Sequence, residues 1–289
     1  MVGLSGTGIW SGGLRYGDAG EAVEAAAELE SLGYSALWIP DAGGDLFESV
    51  ERLLCATTGI TVATGILNLW MHTPEETAEA YAGFTDVFGD RLLVGIGVSH
   101  APLIDATEPG RYRNPLASTA SFLDGLDAAD RPLPSNRRVL AALGPKMLEL
   151  ARQRTAGTHP YNVTPEHTAA AREAIGPNGL VLPEQAVALA RDPSSARALG
   201  RAHLSFYFSL PNYVNNLRRL GFGDEDFADG GSDRLVDALV AWGDEESIRD
   251  RIDLHRAAGA DHVCIQVLAE AEVGLPLVQW RLLAAALVE

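Results

Sequence analysis

Short apolar runs alternate with amphipathic segments along most of the chain. Apolar runs without polar alternation are typical of parallel strands covered by helices on both faces. The runs predict eight strands, at residues 7–10, 35–40, 60–67, 92–99, 137–143, 158–163, 180–189 and 261–268. Pro183 must end the seventh strand or lie at its edge, because proline donates no ladder hydrogen bond.

Amphipathic segments follow the strands. Helices are predicted at 19–33, 45–57, from Thr73 onward, 118–130, 145–156, from Thr164 onward, within 194–258 and at 276–288. The first four strands begin roughly 25–30 residues apart, which is the length of a βα unit. Two stretches break this spacing. Residues 101–117 carry three prolines and predict a long loop, and residues 194–258 are mostly helical in pattern.

Eight strands, each followed by helix, is the number that closes a barrel. The pattern therefore predicts an α/β fold, a single (β/α)8 TIM barrel over residues 1–289, with insertions after strands 4 and 7. An open doubly wound sheet is the alternative, which is disfavoured because no G-x-G-x-x-G turn follows the first strand. Insertions at these places would cover the barrel end where ligands bind.

Composition narrows the class of function. The formal net charge is −17, from 39 acidic and 22 basic residues, which disfavours nucleic acid as a partner. No apolar run approaches the roughly 18 residues of a membrane span, and no signal-peptide pattern occurs, so we expect a soluble cytoplasmic protein. Cys55 and Cys264 are predicted to be buried thiols in a reducing compartment. No metal-binding motif or nucleophile elbow is present, so no metal site is expected.

Candidate functional residues cluster where strands end. Asp41 follows the second strand, at the mouth of the predicted barrel, although a helix-capping role is equally consistent with its position. Gly65 interrupts the third strand, and a glycine inside a strand marks a bulge or a close backbone approach. A flat ring lying against the strand would need such an approach, whereas a packing role for the glycine remains open.

The fourth strand ends in Gly95-Ile96-Gly97-Val98-Ser99-His100. Two glycines at a spacing of two remove side chains from one face, and we expect this to open room inside the barrel. Ser99 and His100 then fall at the rim. A rim histidine is either a structural residue or a proton carrier, because its reference pKa lies near neutrality.

The most specific local pattern for a ligand site follows the fifth strand, at Leu143-Gly144-Pro145-Lys146. Gly144 permits the turn, Pro145 suits the first helical position, and the free N–H groups of a helix N-terminus bind anions. Lys146 adds a cation. Further donors are expected from Gly157 and Thr158, although an ordinary capped helix start explains the same residues.

Longer segments resemble a known family. GILN after strand three, GIGVSH at strand four and ALGPKMLELARQRTAGTHPY across units five and six resemble the luciferase-like monooxygenase superfamily. YNVTPEHT, SLPNYVNNLRRLGF, DRLVDALVAWGDEESIRDRI and AGADHVCIQVL extend the resemblance over nearly the whole chain. Within the superfamily, the sequence is similar to the actinobacterial branch of coenzyme F420-dependent oxidoreductases.

The resemblance implies a (β/α)8 barrel with a flavin or deazaflavin ring in its mouth. It implies a non-prolyl cis peptide at Gly65-Ile66, backing the ring, and it places the family's acid at Asp41. The cofactor-binding residues expected on this basis are Asp41, Thr64, Gly65, Ile66, Asn68, Gly97, Ser99, Leu143, Gly144, Pro145, Lys146, Gly157 and Thr158.

The expected activity is hydride transfer between coenzyme F420 and a small organic substrate, with Asp41 and His100 as catalytic residues. An FMN-dependent monooxygenase is the first alternative, because FMN and the deazaflavin share a ring shape. A barrel that binds a cofactor or ligand without catalysis is the second. Members of the family often dimerise, so a homodimer is expected.

Overall fold

A computed structural model describes residues 4–269 and 274–288 of the chain. Its strands are β1 (Gly6–Trp10), β2 (Ala36–Ile39), β3 (Thr61–Thr64), β4 (Leu67–Asn68), β5 (Leu92–Gly97), β6 (Arg138–Leu140), β7 (Gly157–Thr158), β8 (Leu180–Val181), β9 (Glu184–Ala188), β10 (Val240–Trp242) and β11 (His262–Val267). Its helices are α1 (Gly13–Tyr16), α2 (Ala19–Ser31), α3 (Leu46–Ala56), α4 (Pro74–Phe88), α5 (Ala101–Thr107), α6 (Pro115–Ala128), α7 (Pro145–Arg154), α8 (Pro165–Ile175), α9 (Pro193–Tyr207), α10 (Pro211–Arg219), α11 (Asp233–Leu239), α12 (Glu245–Ala257) and α13 (Leu277–Leu287).

The strands form one parallel sheet. Its order is β10-β9-β11-β1-β2-β3-β5-β6-β7-β8, with β4 paired to β5. Parallel neighbours require a crossover connection, and helices supply most of the crossovers here. The predicted α/β fold built on a parallel sheet is therefore confirmed.

Pro183 divides the seventh predicted strand into β8 and β9, as its missing N–H requires. The break does not separate the two pieces from the sheet. The amide of Leu182 donates to the Thr158 carbonyl at 2.9 Å, and the Pro183 carbonyl accepts from the Cys264 amide at 3.0 Å. One side of this segment thus faces β7 and the other faces β11.

Apolar side chains fill both faces of the sheet, which explains the unbroken apolar runs. Trp38, Leu182 and Cys264 belong to a cluster on the inner face, while Leu37 and Ile39 pack outward against helices. Most of the longer helices begin at a residue whose side chain accepts a backbone N–H, as capping requires. These caps are Asp18, Asp45, Thr73, Thr164, Asp192, Ser232 and Asp244.

The structure corrects several predicted elements. Part of the predicted loop at 101–117 is helix α5, because a proline in the first turn initiates a helix as readily as it marks a loop. The sixth predicted strand shrinks to β7, and β10 was missed within 194–258. Cys55 is exposed on the outer face of α3, so the expectation that both thiols are buried is wrong.

Across residues 4–269 and 274–288, no helix combines the length and apolarity that crossing a bilayer requires. In the same ranges, no three His, Cys, Asp or Glu side chains lie together as the ligands of a metal ion would.

Candidate active site

A cavity of about 700 Å³ opens where the parallel strands end. This volume is within the range of roughly 300–1,000 Å³ that is common for small-molecule sites. Residues at or just beyond the carboxyl ends of β1 to β7 line its inner part, and α5, α9 and α10 line its outer part. Of the predicted residues, nine line it: Asp41, Gly65, Ile66, Asn68, Gly97, Ser99, His100, Leu143 and Gly144.

The peptide bond between Gly65 and Ile66 is cis, which confirms the expectation drawn from the family resemblance. The Gly65 amide donates to the Ile39 carbonyl at 2.8 Å, and its own carbonyl accepts from the Trp10 indole at 2.9 Å. A Cβ at position 65 would lie 2.7 Å from Trp10 Nε1 and 3.0 Å from His159 Nε2. The backbone at Gly65 is therefore bare because no side chain fits there.

The glycines of β5 have a different role from the one expected. A Cβ at Gly95 would lie 2.2 Å from the Thr64 carbonyl oxygen, and a Cβ at Gly97 would lie 2.6 Å from Ile66 Cδ1. These glycines make room for the end of the third strand, which takes most of the space that was expected to open inside the barrel, although Gly97 lines the cavity. The Thr64 hydroxyl donates to the Gly95 carbonyl at 2.7 Å, and Thr64 lies outside the cavity lining.

Asp41 is buried and hydrogen-bonded at both carboxylate oxygens. Oδ1 accepts from the Arg15 guanidinium at 3.2 Å. Oδ2 accepts from the backbone N–H of Asn68 at 3.1 Å and pairs with His72 Nε2 at 2.9 Å. Burial opposes ionisation of this carboxyl, but the His72 and Asn68 hydrogen bonds and the nearby positive charges outweigh it, so the pKa of Asp41 is lowered. Asp41 is thus held as a carboxylate, and its hydrogen bond to Asn68 connects the end of β2 to β4.

Ser99 and His100 lie at the rim, as expected. Ser99 adopts a positive φ of 53°, and His100 then begins α5 without a side-chain cap. The imidazole packs against Tyr213 at 5.2 Å between ring centroids and approaches the Asn212 amide at 3.4 Å. Burial lowers the pKa of His100 to about 4, so the ring is neutral at pH 7.

The N-terminus of α7 forms one end of the cavity at Leu143 and Gly144. Pro145 and Lys146 are exposed and lie outside the lining, so the basic group at this end comes from elsewhere. It is Arg219 of α10, which contacts the Leu143 carbonyl at 3.4 Å and whose Nη2 would lie 3.9 Å from a Cβ at Gly144.

Gly157 and Thr158 lie within the sheet rather than at the cavity. A Cβ at Gly157 would lie 2.0 Å from the Leu180 carbonyl oxygen, and the Thr158 hydroxyl donates to the Leu140 carbonyl at 2.9 Å. These contacts hold β7 between its neighbours, and neither residue lines the cavity.

His159 is a buried lining residue that the sequence analysis did not select. Its ring stacks on Trp38 at 4.1 Å, and its Nδ1–H donates to the Leu182 carbonyl at 2.7 Å. Nε2 therefore carries a lone pair, and it has no partner among the described residues. Burial outweighs the hydrogen bond to Leu182 and lowers the pKa of His159 to about 4.

Glu184 is buried on the inner side of β9, opposite Cys264 in the ladder. One carboxyl oxygen accepts from the backbone N–H of Asn162 at 3.2 Å, and the other has no partner within the described ranges. Burial outweighs this hydrogen bond and raises the pKa of Glu184 to about 8. A glutamate inside an apolar strand was the available sequence signal for this unusual group.

The model of the family described as luciferase-like monooxygenase matches residues 2–262. A protein of Mycobacterium tuberculosis named as a candidate coenzyme F420-dependent oxidoreductase is 25% identical over 103 residues. That match covers 35% of this chain and 30% of the relative, so the chain aligns with less than a third of that protein's length.

Solved structures resemble the whole chain at low sequence identity. An F420-dependent secondary alcohol dehydrogenase in complex with an F420-acetone adduct is 13% identical with a TM-score of 0.75. A coenzyme F420-dependent tetrahydromethanopterin reductase from Methanopyrus kandleri is 16% identical with a TM-score of 0.76. Each match covers 98% of both chains. The oxygenating constituent of 3,6-diketocamphane monooxygenase from Pseudomonas putida, in complex with FMN, is 15% identical with a TM-score of 0.66, covering 99% of this chain and 98% of that one.

Proposed function

The chain belongs to the luciferase-like monooxygenase family, and from this membership we propose that it is a coenzyme F420-dependent oxidoreductase. The F420-dependent relative and the two F420-dependent structural neighbours favour this cofactor. A bound deazaflavin supplies a hydride donor or acceptor at its C5, and the protein supplies binding, orientation and exclusion of water.

The observation that carries the proposal is the combination of two features in one cavity. At its inner end, the bare backbone at Gly65 and the unpartnered Nε2 of His159 suit a flat heteroaromatic ring that carries an N–H or O–H donor. At its other end, the N-terminus of α7 and the Arg219 guanidinium suit a phosphate. A phosphorylated flavin or deazaflavin has both groups.

Each lining residue then has a proposed role. Gly65 and Ile66 would support the ring, and Gly144 and Arg219 would bind the phosphate. Asp41 acts through its partners, because both its oxygens are occupied and its hydrogen bond to Asn68 fixes the end of the third strand. His100, neutral at pH 7, is the proposed proton acceptor beside the substrate.

We further propose that the sheet is a single (β/α)8 barrel domain. Its insertions would follow the fourth barrel strand, where they carry α5 and α6, and the seventh, where they carry α9 to α11. In support, β11 pairs with β1, and the β8–β9 segment contacts both β7 and β11. A small organic substrate is the proposed partner, and a homodimer stays a prediction from the resemblance.

Equilibrium titration of the purified protein with coenzyme F420 and with FMN, followed by quenching of tryptophan fluorescence, tests the cofactor assignment. We expect saturable binding of F420 at least tenfold tighter than that of FMN. Tighter binding of FMN would contradict the assignment and favour the monooxygenase alternative, which the FMN-bound neighbour supports. Binding of neither would favour the other alternative, a barrel that binds a different ligand without catalysis.

A further inference from the structure

One wall of the cavity is built from aromatic rings of both its inner and its outer part. The Tyr161 ring lies 5.3 Å from Trp10, 5.3 Å from Tyr207 and 6.3 Å from Tyr213, measured between centroids. The Tyr207 and Tyr213 rings are 5.2 Å apart and nearly perpendicular. Rings at these distances form a continuous surface that stacks well against another ring.

The same cavity is almost free of formal charge, although the chain has 39 acidic residues. Asp41 and Arg219 are the charged groups in its lining. Arg15 and His72 occupy the Asp41 carboxylate, and Arg219 lies at the phosphate end. A charged substrate would therefore lose its hydration without gaining a counter-ion at the aromatic wall.

The hydroxyl groups of Tyr161 and Tyr207 on this wall have a defined hydrogen-bond direction. Tyr161 donates its single proton to Gln266 Oε1 at 2.6 Å, so in its 3.0 Å contact with Tyr207 it is the acceptor. Tyr207 is then the donor in that contact and keeps only lone pairs for a ligand. Burial raises the pKa of both Tyr161 and Tyr207, which keeps these phenols protonated.

A second group in the lining is also an acceptor. The His159 ring donates through Nδ1 to a carbonyl, so only the lone pair of Nε2 is left for a ligand. The amide of Asn212, which has N–H donors, is directed to the Ser99 carbonyl and to His100 at 3.5 and 3.4 Å. Tyr207 and His159 thus each offer a ligand a lone pair.

We propose that the aromatic wall takes an uncharged ring compound that bears a hydroxyl group, with Tyr207 accepting the ligand's O–H. The class of ligand is inferred from the cavity lining alone, whereas the reaction of that ligand rests on the proposed function. It goes beyond the cofactor assignment because it specifies the charge, shape and hydrogen-bonding sense of the substrate.

Three bicyclic probes of matched shape test the proposal by isothermal titration calorimetry at pH 7: 2-naphthol, 2-methoxynaphthalene and 2-naphthoate. The first donates a hydrogen bond, the second only accepts, and the third is an anion. We expect 2-naphthol to bind about five-fold more tightly than 2-methoxynaphthalene, the size of one net hydrogen bond. We expect 2-naphthoate to bind at least tenfold more weakly than 2-naphthol.

The variant Tyr207→Phe removes the hydroxyl and keeps the ring. In this variant the preference for 2-naphthol over 2-methoxynaphthalene should fall below twofold, while 2-methoxynaphthalene binds as it does to the wild type. Tyr81→Phe is the matched control, because Tyr81 lies in α4 and outside the cavity lining. It should keep the full preference.

Equal or tighter binding of 2-naphthoate would overturn the proposal, and so would an undiminished preference for 2-naphthol in Tyr207→Phe. The titrations are run with and without coenzyme F420, so that the two proposals fail separately. Selective binding of 2-naphthol by a protein that does not bind F420 contradicts only the cofactor assignment. A protein that binds F420 but prefers 2-naphthoate contradicts only the substrate class.

Discussion

The indole N–H of Trp10 donates to the Gly65 carbonyl oxygen at 2.9 Å, and the same indole occupies the space that a side chain at position 65 would need. The last residue of β1 thus holds the backbone at the end of β3 and also requires that backbone to be glycine. This contact joins two strand ends on the floor of the cavity, where the cofactor ring is proposed to lie.

Gly65→Ala should weaken coenzyme F420 binding at least tenfold. The added methyl group displaces Trp10 or His159, and overpacking of this kind costs about 1–3 kcal/mol in the free energy of unfolding. Fluorescence titration and urea unfolding measure the two effects. Gly83→Ala in α4 is the control, because a Cβ there meets nothing within 4 Å and should stabilise the helix by about 0.5–1 kcal/mol. Unchanged F420 affinity in Gly65→Ala would remove the ring from this position.

Arg219→Gln should raise the Kd for F420 by at least about tenfold, because a hydrogen bond to a charged group contributes about 1.5–3 kcal/mol. The loss should disappear with a dephosphorylated deazaflavin, which has no phosphate to lose. Arg218→Gln is the matched control, since Arg218 pairs with Asp224 at 2.5 Å and lies outside the lining. If both variants weaken binding equally, the effect is one of overall charge and not of a phosphate site.

Asp41→Asn should destabilise the fold by roughly 3–5 kcal/mol at pH 7, because it leaves the buried Arg15 guanidinium without its carboxylate. The folded-state pKa of Asp41 is lowered. Its contribution to the free energy of unfolding is therefore present above the unfolded-state pKa of about 4 and is lost as the pH falls through the folded-state pKa. Urea unfolding at pH 7 and pH 3 should therefore show a smaller difference between variant and wild type at pH 3. Asp45→Asn, which changes only the cap of α3, should cost less than about 0.5 kcal/mol.

Glu184→Gln should remove a pH dependence of stability. The folded-state pKa of Glu184 is raised to about 8 from 4.5. The contribution of Glu184 to the free energy of unfolding is therefore fully present below pH 4.5 and is lost as the pH rises toward 8, by about 1.4 kcal/mol per pH unit. The wild type should thus have a lower Tm at pH 8 than at pH 5.5, and the variant should lose much of this difference. The exposed Glu173→Gln in α8 should behave as the wild type does. Parallel curves for wild type and Glu184→Gln would show that Glu184 is ionised at neutral pH.

The residues of the candidate site that directly follow strands could be predicted from the sequence. Asp41, Gly65 and Gly144 stand directly after apolar runs, and the ends of parallel strands meet at one edge of a sheet. The cis bond at Gly65-Ile66 followed from the family resemblance alone, because no local pattern specifies it.

The residues that reach the site from helices or connecting segments could not be predicted. Arg15, His72, Arg219 and Tyr207 reach the cavity region from helices or connecting segments, and their positions depend on how those elements pack against the sheet. Hydrophobic periodicity sets which face of a helix is buried, but not which strand end it approaches. The glycines of β5 illustrate the same limit, since the Thr64 carbonyl and the Ile66 side chain that fill their space are placed there only by the fold.

A crystal structure of the protein with coenzyme F420 tests the central claim most directly. We expect electron density for the deazaflavin ring against Gly65 and Ile66, with the phosphate within hydrogen-bonding distance of the Gly144 end of α7 and of Arg219. Density for the ring elsewhere on the protein would contradict the proposed cofactor site. So would a cavity that stays empty in saturating F420 and fills with FMN.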